Sequence, residues 1–188
     1  MSDTLFIKKK IKEFNKKIEV TSDKSLSIRW VLLASQATGK SRAYNLLMSE
    51  DVLAAIDSIK KLGIKVKIYK NYCEIFGNGI NGFNFQKNLT IDAKNSGTLG
   101  RLILGLLIKS PVKIRLVGDK SLSKRDFSRV TKPLQEFGAK FYYKKKNKLP
   151  LSILGSNSVN GINYLENRGS AQCKSSVMLA ALNSSGTT

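Results

Sequence analysis

The chain has 188 residues, is 41% hydrophobic and carries 33 Lys or Arg against 13 Asp or Glu, a formal net charge of +20. It is long enough to bury a core as one domain or two small ones, and no apolar run approaches the ~20 residues of a membrane-spanning helix. Histidine is absent and the only cysteines are Cys73 and Cys173, which excludes Ser-His-Asp and Cys-His catalysis and argues against a zinc site or disulfide framework.

At the N-terminus, Lys8-Lys9-Lys10 follows a short apolar patch, the reverse of a secretion signal, so a cytoplasmic location is expected. A hydroxyl-bearing run, Ser25-Leu26-Ser27-Ile28-Arg29, leads into the helix-like Trp30-Val31-Leu32-Leu33-Ala34. Next comes Ala34-Ser35-Gln36-Ala37-Thr38-Gly39-Lys40-Ser41, which fits a loose phosphate-binding loop with Lys40 and Ser41 in the functional places. Ala34 stands where that loop needs its first glycine, and the preceding run reads as helix rather than buried strand. A helix-to-strand turn is the reading adopted.

Residues 51–62 place Val52, Ala55, Ile59 and Leu62 on one helical face, with Asp51 in the first turn and Gly63 at the left-handed C-cap. Ile64-Lys65-Val66-Lys67-Ile68-Tyr69 alternates as a strand, and Gly77-Asn78-Gly79 with Asn81-Gly82 predicts a hairpin. After Asn95-Ser96-Gly97-Thr98-Leu99-Gly100-Arg101 and an apolar stretch, Val112-Lys113-Ile114-Arg115-Leu116-Val117 alternates again and ends in the Gly118-Asp119 turn. Residues 126–137 repeat the earlier helix at an offset of 75, with Asp126, Phe127, Val130, Leu134, Phe137 and Gly138 matching Asp51, Val52, Ala55, Ile59, Leu62 and Gly63. A weaker strand (139–143) and the basic run Lys144-Lys145-Lys146-Asn147-Lys148 follow.

Gly169-Ser170-Ala171-Gln172-Cys173-Lys174 opens a third apolar helix. Arg29, Arg101 and Lys174 thus follow three similar helix starts at spacings of 72 and 73. A helix start offers unpaired N–H groups and partial positive charge, so three of them form tools for a shared anionic ligand. The repeat length, about 70 residues, is that of a full supersecondary module. The third unit is only begun, and Ser184-Ser185-Gly186-Thr187-Thr188 stands where its next strand should start. The net charge is compatible with a solvated lysine surface, an anionic small-molecule site or nucleic acid.

Five segments, in order, resemble the motifs of the 5-enolpyruvylshikimate-3-phosphate synthase family. They are Asp23-Lys24-Ser25-Leu26-Ser27-Ile28-Arg29; Ser41-Arg42-Ala43-Tyr44-Asn45 with Ser49-Glu50-Asp51-Val52; Asn95-Ser96-Gly97-Thr98 with Arg101; Gly118-Asp119-Lys120-Ser121-Leu122-Ser123-Lys124-Arg125; and Ser170-Ala171-Gln172 with Lys174-Ser175. The chain departs from the pattern at Thr21-Ser22, at Ile28 and at Asp126.

The resemblance implies an α/β fold of repeated βαβαββ-type units, forming one domain of a two-domain inside-out α/β barrel, here truncated. Residues 1–20 would supply the first strand of the other domain. Residues 21–188 would form the substrate-binding domain, as units of about 21–90, 91–160 and an incomplete 161–188. The implied reaction joins phosphoenolpyruvate to the 5-hydroxyl of shikimate 3-phosphate and releases phosphate, with no metal or cofactor. Lys24, Ser25, Arg29, Ser170 and Gln172 would hold shikimate 3-phosphate, and Lys24, Asn95, Gly97 and Arg125 phosphoenolpyruvate. Arg101 and Lys174 are read as exposed helix charges and left out of the site. The acid and base carboxylates would lie beyond residue 188, so the chain alone is expected to fold poorly or bind weakly and to make no product. The intact protein is expected to be a monomer that engages neither membrane nor nucleic acid. Two alternatives stay open: an enzyme like the enolpyruvyl transferase acting on UDP-N-acetylglucosamine, and a basic RNA-binding module.

Overall fold

A computed structural model describes residues 15, 18, 20–167 and 169–188. The expected strand in residues 1–20 and the Lys8-Lys9-Lys10 run lie outside the described residues, apart from 15, 18 and 20. In chain order the elements are α1 (Lys24–Gln36), β1 (Thr38–Tyr44), α2 (Glu50–Lys61), β2 (Lys65–Ile68), β3 (Tyr72–Asn78), β4 (Thr90–Asp92), α3 (Gly97–Leu106), β5 (Ile114–Val117), α4 (Ser128–Glu136), β6 (Lys140–Tyr143), β7 (Leu151–Leu154) and α5 (Ala171–Ala181). A 3-10 turn, Leu122–Lys124, precedes α4.

The strands form two sheets, ordered β1-β3-β2 and β4-β5-β7-β6. In the first, β3 pairs antiparallel with both neighbours. In the second, β4 and β5 are parallel across the α3 crossover and the rest is antiparallel. Thus β1, β2 and β3 stand to α1 and α2 as β5, β6 and β7 stand to α3 and α4, and β4 completes the second set as βαβαββ. At 184–188, where the repeat predicts a further strand, Ser185 forms a parallel bridge to Asn160.

The offset helices behave as their apolar spacing requires: Val52, Ala55, Ile59, Leu62, Phe127, Val130, Leu134 and Phe137 are all buried. Gly63 (φ 85°) and Gly138 (φ 99°) follow them in the left-handed region. Two expectations are corrected. Asp126 precedes α4 instead of sitting in its first turn, and its Oδ1 accepts the Ser128 N–H at 2.6 Å, capping the helix from outside. Residues 77–82 turn the chain from β3 into the other sheet, with Gly82 N–H donating to the Gly79 carbonyl at 3.1 Å. The hairpins lie instead between β2 and β3 and between β6 and β7.

Helix α3 is the centre of the packing. Every residue but Arg101 is buried, the mark of a helix covered on all sides. Among the described residues no helix is long and apolar enough to cross a membrane.

Candidate anion-binding site at the helix starts

Each of α1, α3 and α5 is opened by a side chain that accepts the N–H three residues on. Asp23 Oδ1 takes Leu26 N–H at 2.6 Å, Ser96 Oγ takes Leu99 N–H at 3.2 Å, and Ser170 Oγ takes Cys173 N–H at 3.3 Å. This is ordinary N-capping. It makes Asp23 the cap of α1, and it commits the Ser170 hydroxyl lone pairs partly to the helix. Ser27 also anchors α1: its hydroxyl donates to the Asp23 carbonyl and accepts the Leu47 N–H.

The caps repeat at 73 and 74 residues, whereas Arg29, Arg101 and Lys174 repeat at 72 and 73. One residue is about 100° of helical rotation, so the three basic side chains leave their helices in different directions. Arg29 reaches α5, donating from Nη2 to Ser175 Oγ at 3.3 Å and from Nη1 to the Ser25 carbonyl. Lys174 is exposed. Arg101 points into the gap between α3 and α5.

That orientation makes Arg101 the residue the sequence reading missed. Its Nη1 donates to Gln172 Oε1 at 2.8 Å and to the Gly97 carbonyl at 3.2 Å, and its guanidinium lies 5.3 Å from the Phe127 ring centre. Gln172 Nε2 in turn donates to Thr98 Oγ1 at 3.1 Å. The starts of α3 and α5 are therefore tied side by side, with the Gln172 amide held at both ends.

Arg125 comes to the same place from the loop before α4. Its Nη2 donates to Asn95 Oδ1 at 3.2 Å, while Asn95 Nδ2 donates to Asp119 Oδ2 at 2.8 Å. Asp119 Oδ1 accepts the Leu122 N–H at 2.7 Å, so this carboxylate fixes both the 3-10 turn and the Asn95 amide. In the sequence Asp119 stands at a turn and in the fourth motif, with nothing to signal its bond to Asn95. A β-carbon built at Gly97 would lie 2.7 Å from Arg101 Nη1 and 2.9 Å from Arg125 Nη1. Two guanidinium groups thus stand together over the first residue of α3.

Among the described residues no carboxylate lies within ion-pairing distance of Arg101, Arg125 or Arg29. Burial pulls the Arg101 guanidinium below its usual range, and the nearby Arg125 and Arg129 push the same way. Arginine stays protonated at neutral pH regardless. Adjacent cations, one of them half-buried, set on a helix N-terminus call for an anion with planar oxygen pairs, which guanidinium forks bind in bidentate fashion.

Of the eight residues expected in the site, the structure gathers Asn95, Gly97, Arg125 and Gln172 around the start of α3, and sets Arg29 beside α5. Ser25 is half-buried next to Arg29, and Ser170 caps α5. Lys24 is turned elsewhere: its Nζ pairs with Asp51 Oδ2 on α2 at 2.9 Å. Residues 34–41, the loose phosphate-loop match, run from the last turn of α1 into β1 with no helix after them. The guanidinium network lies on an open surface, with Arg125 and Asn95 exposed. A concavity of about 440 Å³ lies elsewhere, lined in part by Tyr44, Tyr69 and Tyr72. Among the described residues no cluster of three His, Cys, Asp or Glu could hold a metal ion.

The chain matches the sequence profile of EPSP synthase (3-phosphoshikimate 1-carboxyvinyltransferase) over residues 8–188. It is 38% identical over 172 residues to the 3-phosphoshikimate 1-carboxyvinyltransferase of Streptococcus pyogenes serotype M1, covering 91% of this chain and 40% of that protein. The enzyme of that name from Bacillus cytotoxicus is 39% identical over 178 residues, covering 94% and 42%. The solved EPSP synthase from Acinetobacter baumannii superposes with a TM-score of 0.84 at 32% identity, covering 92% of this chain and 40% of that one. The chain therefore spans about two fifths of the length of these relatives, and its fold is the inside-out α/β fold anticipated from the motifs.

Proposed function

The chain belongs to the EPSP synthase family, and on that premise we propose that it carries one wall of an enolpyruvyl transfer site for phosphoenolpyruvate and shikimate 3-phosphate. The intact protein would move the carboxyvinyl group of phosphoenolpyruvate to the 5-hydroxyl of shikimate 3-phosphate and release phosphate. The observation that carries this reading is the pair of guanidinium groups, Arg101 and Arg125, that meet at Gly97 on the N-terminus of α3 with no carboxylate of the described residues in ion-pairing reach.

In this reading Arg125, oriented by Asn95 and Asp119, clamps the charge of phosphoenolpyruvate, with the N–H groups at Gly97 beside it. Gln172, Ser170, Arg29 and Ser25 hold the phosphate and hydroxyls of shikimate 3-phosphate, and Arg101 keeps the Gln172 amide in place. Lys24 serves both substrates after leaving Asp51. The open surface around Arg125 supports a second wall, and we assign that wall and the acid and base carboxylates to the part of the relatives' length that this chain does not span. Catalysis by positioning requires both walls, so the chain alone binds but does not turn over. A cytoplasmic location and a monomeric intact protein go with the proposal.

Thermal unfolding tests it. Shikimate 3-phosphate at about 100 times its Kd should add about 2.7 kcal/mol of stability, raising Tm by roughly 5–10 °C for a chain of this size. Shikimate without its phosphate should add far less. Protection by RNA in place of shikimate 3-phosphate, lost with rising salt, would overturn the assignment in favour of a nucleic-acid module.

A further inference from the structure

The turn between β6 and β7 carries Lys144, Lys145 and Lys146, all exposed, and a half-buried Lys148, and the site's own geometry makes no use of them. The turn is nevertheless fastened next to the site. Phe127 N–H donates to the Asn147 carbonyl at 2.9 Å, and Lys148 N–H donates to the Lys145 carbonyl at 3.0 Å. At the strand end Tyr143 Oη donates to Thr131 Oγ1 at 2.7 Å. Beyond the turn, the Leu149 side chain lies 3.0 Å from the position of a β-carbon at Gly118. Phe127 follows Arg125 by two residues, and its ring supports the Arg101 guanidinium. The lysine turn therefore borders the loop that presents Arg125.

Charge on this side is one-signed. Residues 118–148 contain ten Lys or Arg against three Asp or Glu. Asp119 is engaged by Asn95 and Leu122. Asp126 caps Ser128, and its carboxyl is held below the usual range by that hydroxyl and N–H, with help from Lys132 and Lys148. The three carboxylates offset only part of these ten cations, so a net positive field remains at the turn and adds to that of Arg101 and Arg125. No aromatic residue interrupts residues 144–148, so the run lacks the stacking platform of a single-strand nucleic-acid site.

We propose that the lysine turn between β6 and β7 is an electrostatic capture surface that draws doubly charged phosphate esters toward the Arg125 site without touching them once bound. This rests on the substrate reading above and assigns the turn a role in encounter. Surface fields of one sign raise association rates by 10-fold or more at low ionic strength and fade with salt. The screening length falls from about 30 Å at 0.01 M salt to about 3 Å at 1 M.

Stopped-flow association of shikimate 3-phosphate with the chain and with the K144Q/K145Q/K146Q/K148Q variant tests this. At about 10 mM salt the variant should associate roughly five- to tenfold more slowly, with an unchanged dissociation rate, and at about 0.5 M salt the two should coincide. A variant with the same four lysines changed to Arg should behave as the parent. Changing Lys65, Lys67, Lys70 and Lys109 to Gln removes the same net charge elsewhere on the surface and should slow low-salt association less than the turn variant does. Equal rates at low salt, a defect that persists at high salt, or failure of the Arg variant to retain the parent rate would each overturn the proposal. Absence of binding by the parent chain at any salt is a separate result and would overturn the substrate reading with it.

Discussion

The space at Gly97 is limited by two side chains and not by backbone. The atoms that a methyl group would meet, Arg101 Nη1 and Arg125 Nη1, are the far ends of flexible chains, so Gly97→Ala should leave the fold intact and displace the guanidiniums. A charge-assisted contact is worth about 1.5–3 kcal/mol. Gly97→Ala should therefore raise the Kd for phosphoenolpyruvate, measured by calorimetry with shikimate 3-phosphate present, by roughly tenfold or more. Tm should change by no more than a few degrees. A variant that binds as tightly as the parent would show that Arg101 and Arg125 do not face the ligand. Lys24 teaches the same lesson from the other direction. Its motif position is clear in the sequence, yet its ammonium pairs with Asp51 on α2, a partner that only the docking of α1 on α2 supplies.

Among the helices, α3 has the greatest demands at its start. Ser96 is 1% exposed, so the Leu99 N–H that its hydroxyl accepts has no water to turn to if the cap is removed. Asp23 holds an equivalent place on α1 in solvent. Ser96→Ala should cost about 1–2 kcal/mol and lower Tm by roughly 2–8 °C in a thermal melt. Asp23→Ala should cost distinctly less. Equal losses would mean that burial does not govern these caps. The two offset helices, α2 and α4, were legible from spacing alone because each buries a single face. The strands were less so: in β2 only Val66 is even half-buried, and the glycine-rich 77–82 segment reads as a hairpin until the neighbouring strand is known to belong to the other sheet.

The whole molecule combines a large positive charge with a few carboxylates that hold its parts together. Glu74 is bonded by Arg42 at 2.7 Å, with Lys40 at 3.5 Å, across β1 and β3. These partners, Arg42 first, hold its carboxyl below the usual range. Burial pushes Asp92 upward, but the Lys94 N–H and ammonium outweigh it and the net direction is down. Asp126 is lowered by Ser128. A carboxyl whose folded pKa is depressed adds stability above its unfolded pKa of about 4, and that stability is lost as pH falls through the folded value. Tm should hold steady from neutral pH to about 5 and fall progressively below about 4. Glu74→Gln should flatten part of that fall. An acid transition unchanged in the variant would remove Glu74 from the account.

Composition, helical spacing and the five ordered motifs determined the family, the alternation of helices and strands, and the left-handed glycines at 63 and 138. These signals are local, written in neighbours three or four positions apart. Tertiary packing alone decided that Arg101 reaches Gln172 while Lys174 stays exposed, that Asp119 orients Asn95, and that β3 and β4 part into separate sheets. Cap and cation repeat one residue out of step, and a 100° rotation between them is invisible until the helices are docked. The Arg101 contact to Gln172 spans 71 residues of chain, and only the packing of α3 against α5 brings its two ends together.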